Sequence, residues 1–219
     1  RGYYTVKDTL TNLYLMILNS GIDLLFRAVY VVIFQVLYTH RIIEIQSVFW
    51  YWFWLIVGMD FLYYWLHRVD HFCRFFWAVH VTHHSSEKFN LTTGFRSSVF
   101  QPLYRFVYFI PLALAGFKPL DIVFIFSATQ IWGILVHTEF INKMGFLEYF
   151  LVTPSHHRVH HGYGEKQIDC NYAGVFIIWD RLFGTFVDER DAGEILYGVK
   201  SRAVHSNNVF VMVFEELFD

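Results

Sequence analysis

Charge is what this 219-residue chain has least of. Lys, Arg, Asp and Glu make up 16 % of it, against about 25 % in ordinary soluble domains, while 55 % is hydrophobic and 21 % aromatic. Such a balance places much of the chain in lipid. A net charge of -2 lacks the basic field with which nucleic-acid-binding proteins neutralise phosphates, so that class of partner is excluded. The two cysteines, Cys73 and Cys170, are too few for a disulfide framework and lack zinc-site spacing, so both are expected as reduced thiols. The start at Arg1 lacks the charged, apolar and small-residue blocks of a cleavable leader, and the chain reads as a piece of a longer protein. No repeat, low-complexity stretch or Pro/Ser-rich linker divides it, so 1–219 is expected to be a single domain.

Histidine is what the chain has in excess. Ten of its twelve histidines fall between 67 and 161, in HRVDH (His67, His71), HVTHH (His80, His83, His84) and HHRVHH (His156, His157, His160, His161), with His137 alone in HTEF. Imidazole is the commonest protein ligand for a transition metal, and spacings of three and four residues put two rings on one side of a helix. In HxxHH, three rings from one turn can serve two ions side by side. Ten imidazoles without such partners would be costly beside a membrane, since buried polar groups need something to bind. His40 and His205 stand apart and read as solvated or capping side chains. His71 and His80 are nine residues apart, which on an unbroken helix places them on opposite sides, so FCRFFWAV (72–79) is expected to turn the chain back.

Four apolar stretches are long enough to be considered as crossings of about 30 Å of hydrocarbon: 11–38, 47–67, 99–117 and 120–137. The first contains Asn19, Asp23 and Arg27; Asp23 and Arg27 are spaced i,i+4, as a neutralising pair facing other helices or, alternatively, facing substrate. Pro102, Pro111 and Arg105 interrupt the third. Residues 67–98 and the region beyond His137 carry no spanning run. VFIIW (175–179) is short enough only to pack in a cap or lie in the interface. Lys and Arg concentrate on the histidine side, which the positive-inside tendency assigns to the cytoplasm. The expected fold is all-α: about four transmembrane helices with a cytoplasmic, histidine-rich helical cap holding two metals.

Three metal chemistries compete. A hydrolytic zinc site would use about three ligands and the HExxH helix, which is absent; a structural zinc site would use four closed ligands, typically with cysteine. The carboxylate-rich diiron bundle with Glu-x-x-His pairs is also absent. A histidine-rich dinuclear iron site has a use for nine rings, although ligand type leaves zinc, copper and manganese open. An apolar slot beside a cytoplasm-facing oxidising centre suits oxygen insertion into a lipid C–H bond. The rival class is a non-catalytic membrane metal protein, a transporter or scaffold; a transporter would place ionisable residues along a path near the midplane.

HRVDH, HVTHH and HRVHH, with HTEF between them and the tail IDCNYAGVFIIWDRLFGTF, resemble the fatty acid hydroxylase/sterol desaturase superfamily of membrane non-haem diiron oxidases, over roughly 55–190. YYWLHRVDH, HVTHHSSEKFNLTTGFRSS, HTEFINKMG and TPSHHRVHHG are most similar to its alkylglycerol monooxygenase branch, apart from Phe72, where an acidic residue is expected. The resemblance implies a diiron lipid monooxygenase acting on an ether lipid, sterol or fatty-acyl chain, with a desaturase as the alternative. It implies two Fe ions, O2 and an external electron donor, either tetrahydrobiopterin or a cytochrome b5/ferredoxin-type protein. The implied setting is a bacterial inner membrane or the endoplasmic reticulum. The implied metal ligands are His67, His71, His80, His83, His84, His137, His157, His160 and His161. His156 falls outside the family spacing and is expected beside the ligands. Asp70, Glu139, Asp169 and Asn171 are candidate acceptors for the free ring N–H groups. Asp60, two helical turns before His67, is either another such acceptor or a polar residue at a bundle seam.

Overall fold

A computed structural model describes residues 2–199; His205 lies outside them. The regular elements among these residues are helical, and the only strand-like pairings are two isolated bridges, Leu151 with Phe176 and Gly162 with Tyr197.

Helix α1 (Val6–Thr39) starts where the Thr5 side chain accepts from the Asp8 backbone N–H, and runs unbroken through Asn19, Asp23 and Arg27. It is long and apolar enough to cross a membrane. Its buried residues are Asn12, Leu15, Asn19, Asp23, Tyr30 and Phe34, at spacings of three, four and seven, while Leu10, Ile17, Leu24, Leu25, Val32 and Val36 face outward. The polar side chains are thus turned inward and the aliphatic ones outward, the reverse of a soluble helix.

Helix α2 (Val48–Phe72) begins at Ser47 and presents Phe49, Trp50, Phe53 and Trp54 outward over its first turns. Cys73 alone, in an extended conformation, ends it, and α3 (Arg74–His84) returns beside it. The turn expected over 72–79 is therefore one residue, and 74–79 are helical. Cys73 can do this because its N–H still donates to the Val69 carbonyl while its own carbonyl accepts from Trp77, so neither helix end loses its hydrogen bonds.

The stretch expected as one helix over 99–117 is a succession of short pieces: α4 (Gln101–Tyr104), a 3-10 turn over Arg105–Phe109, and α5 (Ile110–Leu114). Pro102 and Pro111 each sit in the first turn of a new piece, where a missing N–H breaks nothing. Helix α6 (Pro119–Leu135) completes the bundle. Tyr30, Phe34, Leu55, Met59, Leu66, Phe109, Leu112, Phe117, Ile122 and Phe126 form the core that joins α1, α2, α5 and α6. A second, smaller core of Tyr64, Val152, Tyr172, Ala173 and Ile177 lies where the end of α2 meets the chain after α7 (Pro154–His160). VFIIW enters this cap, with Ile177 buried and α8 (Ile178–Phe183) following. A last short helix, α9 (Glu189–Ala192), packs on α7, where Glu189 takes two hydrogen bonds from Arg158.

Candidate metal centre

The end of α2, all of α3, the end of α6 and α7 converge. Their rings form two groups whose ligand nitrogens lie within 4.8 Å of one another: His67, His71, His80, His84 and His160 in one, His83, His137, His157 and His161 in the other. The division follows helical geometry. In HVTHH, the first and last rings (His80, His84) point to the first group and the i+3 ring (His83) to the second. In HRVHH, His157 and His161 point to the second group and His160 to the first. The groups adjoin, with His84 stacked on His161 at 4.4 Å between ring centroids.

The chemistry of these nitrogens fits a pair of cations. His67 Nε2 and His80 Nε2 are 3.1 Å apart, His80 and His84 3.2 Å, His137 and His161 3.0 Å, and His137 and His157 3.1 Å. Two nitrogens held at right angles about 2.1 Å from one ion would stand about 3.0 Å apart. An imidazole carries one N–H when neutral, and in four rings a backbone carbonyl takes it from Nδ1. His67 donates to Tyr172 (2.7 Å), His83 to Arg96 (2.8 Å), His137 to Gly133 (2.6 Å) and His160 to Cys170 (2.8 Å). Each Nε2 is left with its lone pair inward. His71 Nε2 and His160 Nε2 are buried without any hydrogen-bond partner, which costs free energy that a metal would recover. His157 Nδ1 is also without a partner. Burial first, then neighbouring imidazoles, pushes His80, His84, His157, His160 and His161 well below the usual imidazole pKa, and burial brings His83 to about 4. The rings are neutral ligands at pH 7.

The other expected site residues are placed differently from one another. Asp70 Oδ2 lies 3.8 Å from His80 Nδ1 while Oδ1 accepts from the Tyr104 hydroxyl. Asp169 Oδ1 lies 3.7 Å from His71 Nδ1, and that interaction holds the carboxyl below its ordinary value. Asn171 does not reach a ring: its amide donates to the carbonyls of His156 and Val187 and its oxygen accepts from the Val187 N–H. His156 is outside both groups and completes a capping box with Thr153 at the start of α7, its ring edge-on to Phe186. Glu139 makes no hydrogen bond or ion pair to a histidine among the described residues. Asp60 also stays away from the rings. It accepts from the N–H groups of Val175 (2.7 Å) and Phe176 (2.9 Å) and from Trp179 Nε1 (2.9 Å), tying the cap to α2. Phe72 is 92 % exposed, so the departure from the branch pattern lies away from the ligands.

Sequence reasoning missed the carbonyls. Those of Cys170 and Tyr172 face His160 and His67 because Asp169 and Asn171 hold positive φ (58° and 53°), a conformation Asp and Asn tolerate best among residues with a Cβ. Asp180 fixes the same turn by accepting from the N–H groups of Tyr172 and Ala173. Where an apolar slot was expected beside the centre, a cavity of about 570 Å³ starts at His67, His80, His83, His137 and His157 and runs between α1 and α6, with a polar side that was not expected. Met16, Leu66, Phe95, Phe126 and Ile134 give it an apolar wall, and Asn19, Asp23, Arg27, Gln101, Arg105 and Gln130 a polar one.

The family model described as "Fatty acid hydroxylase" matches residues 52–185. An alkylglycerol monooxygenase of Xenopus tropicalis is 41 % identical over 207 residues, 94 % of this chain and 45 % of the relative. The alkylglycerol monooxygenase of Homo sapiens is 44 % identical over 173 residues, 77 % of this chain and 37 % of the relative. A Delta(7)-sterol 5(6)-desaturase of Gibberella zeae is 30 % identical over 149 residues, 61 % of this chain and 43 % of the relative. The chain thus spans less than half the length of each of these relatives. No solved structure matches it.

Proposed function

Since the chain belongs to the fatty acid hydroxylase family, we propose that it is the catalytic core of an integral-membrane lipid monooxygenase that uses dioxygen and two irons. The observation that carries this reading is the pair of adjoining groups of five and four neutral imidazoles, of which five rings line one cavity. His67, His71, His80, His84 and His160 would hold one iron, and His83, His137, His157 and His161 the other. When bound, the irons supply the electron-transfer chemistry that activates dioxygen.

The chain's own residues do the rest. The carbonyls of Tyr172, Arg96, Gly133 and Cys170 fix the ring tautomers, so the inward lone pairs need no reorganisation when metal binds. Leu66, Phe95, Phe126 and Ile134 admit an alkyl chain and displace water from the reacting carbon. The reaction consumes O2, two electrons and two protons from an external donor, and returns one oxygen atom to the substrate C–H bond and one to water. The names of the relatives point to an alkylglycerol as substrate, and tetrahydrobiopterin or a cytochrome b5/ferredoxin-type protein would serve as donor. Oxygen insertion beside an ether oxygen gives a hemiacetal, which breaks into an alcohol and an aldehyde. The similarity to a sterol desaturase favours dehydrogenation at the same centre as the second reading. Four crossings, formed by α1, α2, the broken path over 101–114 and α6, would set the histidine cap on the cytoplasmic face.

The test is metal analysis and lipid turnover on the membrane-extracted protein. Two irons per chain and oxygen uptake dependent on alkylglycerol and reductant are expected. His83→Ala and His160→Ala, one from each group, should abolish turnover and lower iron content while membrane insertion persists. Turnover by a variant stripped of metal would overturn the proposal.

A further inference from the structure

The cavity that starts at the histidines is also lined by a charged cluster that makes no hydrogen bond to any of them. Asp23, on the buried face of α1, accepts from Arg27 Nη2 through Oδ2 and from Arg105 Nη2 through Oδ1, so one carboxylate is shared by two guanidinium groups. All three side chains line the cavity. An interhelical tie would need only one of the two cations. Arg27 has one other partner, the Tyr30 hydroxyl, and Arg105 has only the face of the Phe126 ring, 4.9 Å from its Cζ. Each guanidinium has five N–H donors and no acceptor, so most of the donors of this cluster have no protein acceptor.

The other acids near the cavity do not meet this demand. Asp70 lies within electrostatic reach of Arg105 but gives it no hydrogen bond, using Oδ1 on Tyr104 and turning Oδ2 toward His80, and Asp8 pairs with Arg96. Asp23 lies four residues beyond Asn19, about 6 Å of helical rise, and Asn19 donates to the Ser98 carbonyl; Arg105 is one turn beyond Gln101, whose amide is 3.4 Å from His80 Nδ1, so the cluster stands about one turn from the histidines. Two guanidinium groups in the lipid-embedded part of a bundle are expensive unless something accepts their hydrogen bonds. The cavity also opens sideways, since two of its lining residues, Leu24 on α1 and Ile131 on α6, face outward.

We propose that Arg27 and Arg105, held by Asp23, form the head-group site of the cavity. They select an amphiphile whose head carries acceptor oxygens, hydroxyl or phosphate, over one with an apolar or cationic head. The inference rests on the cavity being the lipid site of the proposed oxygenase and names the residues that read the head. A neutral hydroxylated head and an anionic phosphate head share the acceptor chemistry, and comparing them distinguishes the two sources. Both guanidinium groups are specificity-determining, and the tail leaves between α1 and α6.

The test is equilibrium binding to the detergent-purified, metal-loaded protein. The probes have one eight-carbon chain: octyl glyceryl ether, octyl phosphate, octylamine and the head-free ethyl octyl ether. In the unchanged protein the two oxygen-headed probes should bind at least tenfold tighter than the other two. Arg105→Gln should remove that preference and leave ethyl octyl ether binding unchanged, and Arg105→Lys should restore part of it. Arg27→Gln, at the more exposed guanidinium, repeats the test if Arg105→Gln does not fold. Equal weakening for all four probes, or an unchanged preference in Arg27→Gln and Arg105→Gln, would overturn the site. Because binding is read without turnover, head-group selection in a protein that does not oxidise lipid would leave this site standing and remove the oxygenase reading.

Discussion

Asp60 offers a way to loosen the metal centre without touching a ligand. Its carboxylate is fully buried and accepts three hydrogen bonds, from Val175 and Phe176 N–H and Trp179 Nε1, that tether the cap to α2. The cap in turn supplies the Tyr172 and Cys170 carbonyls that orient His67 and His160. In Asp60→Asn, the side-chain oxygen can keep the pair of donors now on Oδ2, while the amide faces the Val175 N–H and leaves it unpaired. One buried donor without a partner costs about 1–3 kcal/mol, and loss of charge on the remaining bonds adds about 1 kcal/mol. Asp60→Ala strands all three donors, at a cost of roughly 3–9 kcal/mol. For a chain of this length about 1 kcal/mol corresponds to roughly 2–4 °C in melting temperature, so Asp60→Asn should melt roughly 4–16 °C lower and Asp60→Ala lower still. Thermal unfolding in detergent, with iron content measured in parallel, checks this. Iron content should fall in both variants, because the carbonyls that orient His67 and His160 are loosened. If Asp60→Ala melts and retains iron like the unchanged protein, the tether has been misread.

Three other outcomes follow from the same geometry. His156→Ala should keep both irons and cost about 1 kcal/mol, because His156 caps α7 and stands outside both histidine groups; loss of one iron equivalent would refute this. Gly94→Ala should lower turnover and disturb the second group, since a Cβ there would lie 3.0 Å from both His137 Nδ1 and the Ile134 Cα; an unaltered iron spectrum would count against it. Acidification should destabilise the protein, with the sign set by rings whose pKa falls on folding. Burial takes His83 and His156 from about 6.5 unfolded to about 4 folded, so their contribution is complete above about 6.5 and is lost as the pH drops toward about 4. Melting temperature and iron retention against pH should both be flat above about 6.5 and decline below it; a protein that gains stability on acidification would contradict this.

The grouped rings stood out as candidate ligands from their spacing, because a helix repeats every 3.6 residues and HxxHH therefore has a spatial meaning before any coordinates exist; the set of nine, with lone His137 in and His156 out, came from the family resemblance. Asp60 shows the limit of that rule. Its seven-residue interval to His67 does place both on one face of α2, but the interval does not say which of the segments packed there will claim the carboxylate. The carbonyls on Nδ1 were not legible at all, because a backbone oxygen has no letter in the sequence. Their only trace was DCN, where Asp169 and Asn171 permit the left-handed turn. Pro102 and Pro111 marked 99–117 as the weakest of the four stretches without showing that each would open a new helical piece, and the inward polar face of α1 was foreshadowed by the i,i+4 pair Asp23 and Arg27. That Arg105 would join this pair from 82 residues away was beyond any local pattern.

In both HxxHH helices, neighbouring rings are dealt out to opposite centres. A small roll of α3 that drew His83 away from one cation would also drag His80 and His84 across the other, and α7 behaves as the mirror case. The pair is therefore geared together: filling either seat locks the orientation of both shafts and prepares the second, so occupancy should jump from none to two with little of the singly filled form in between.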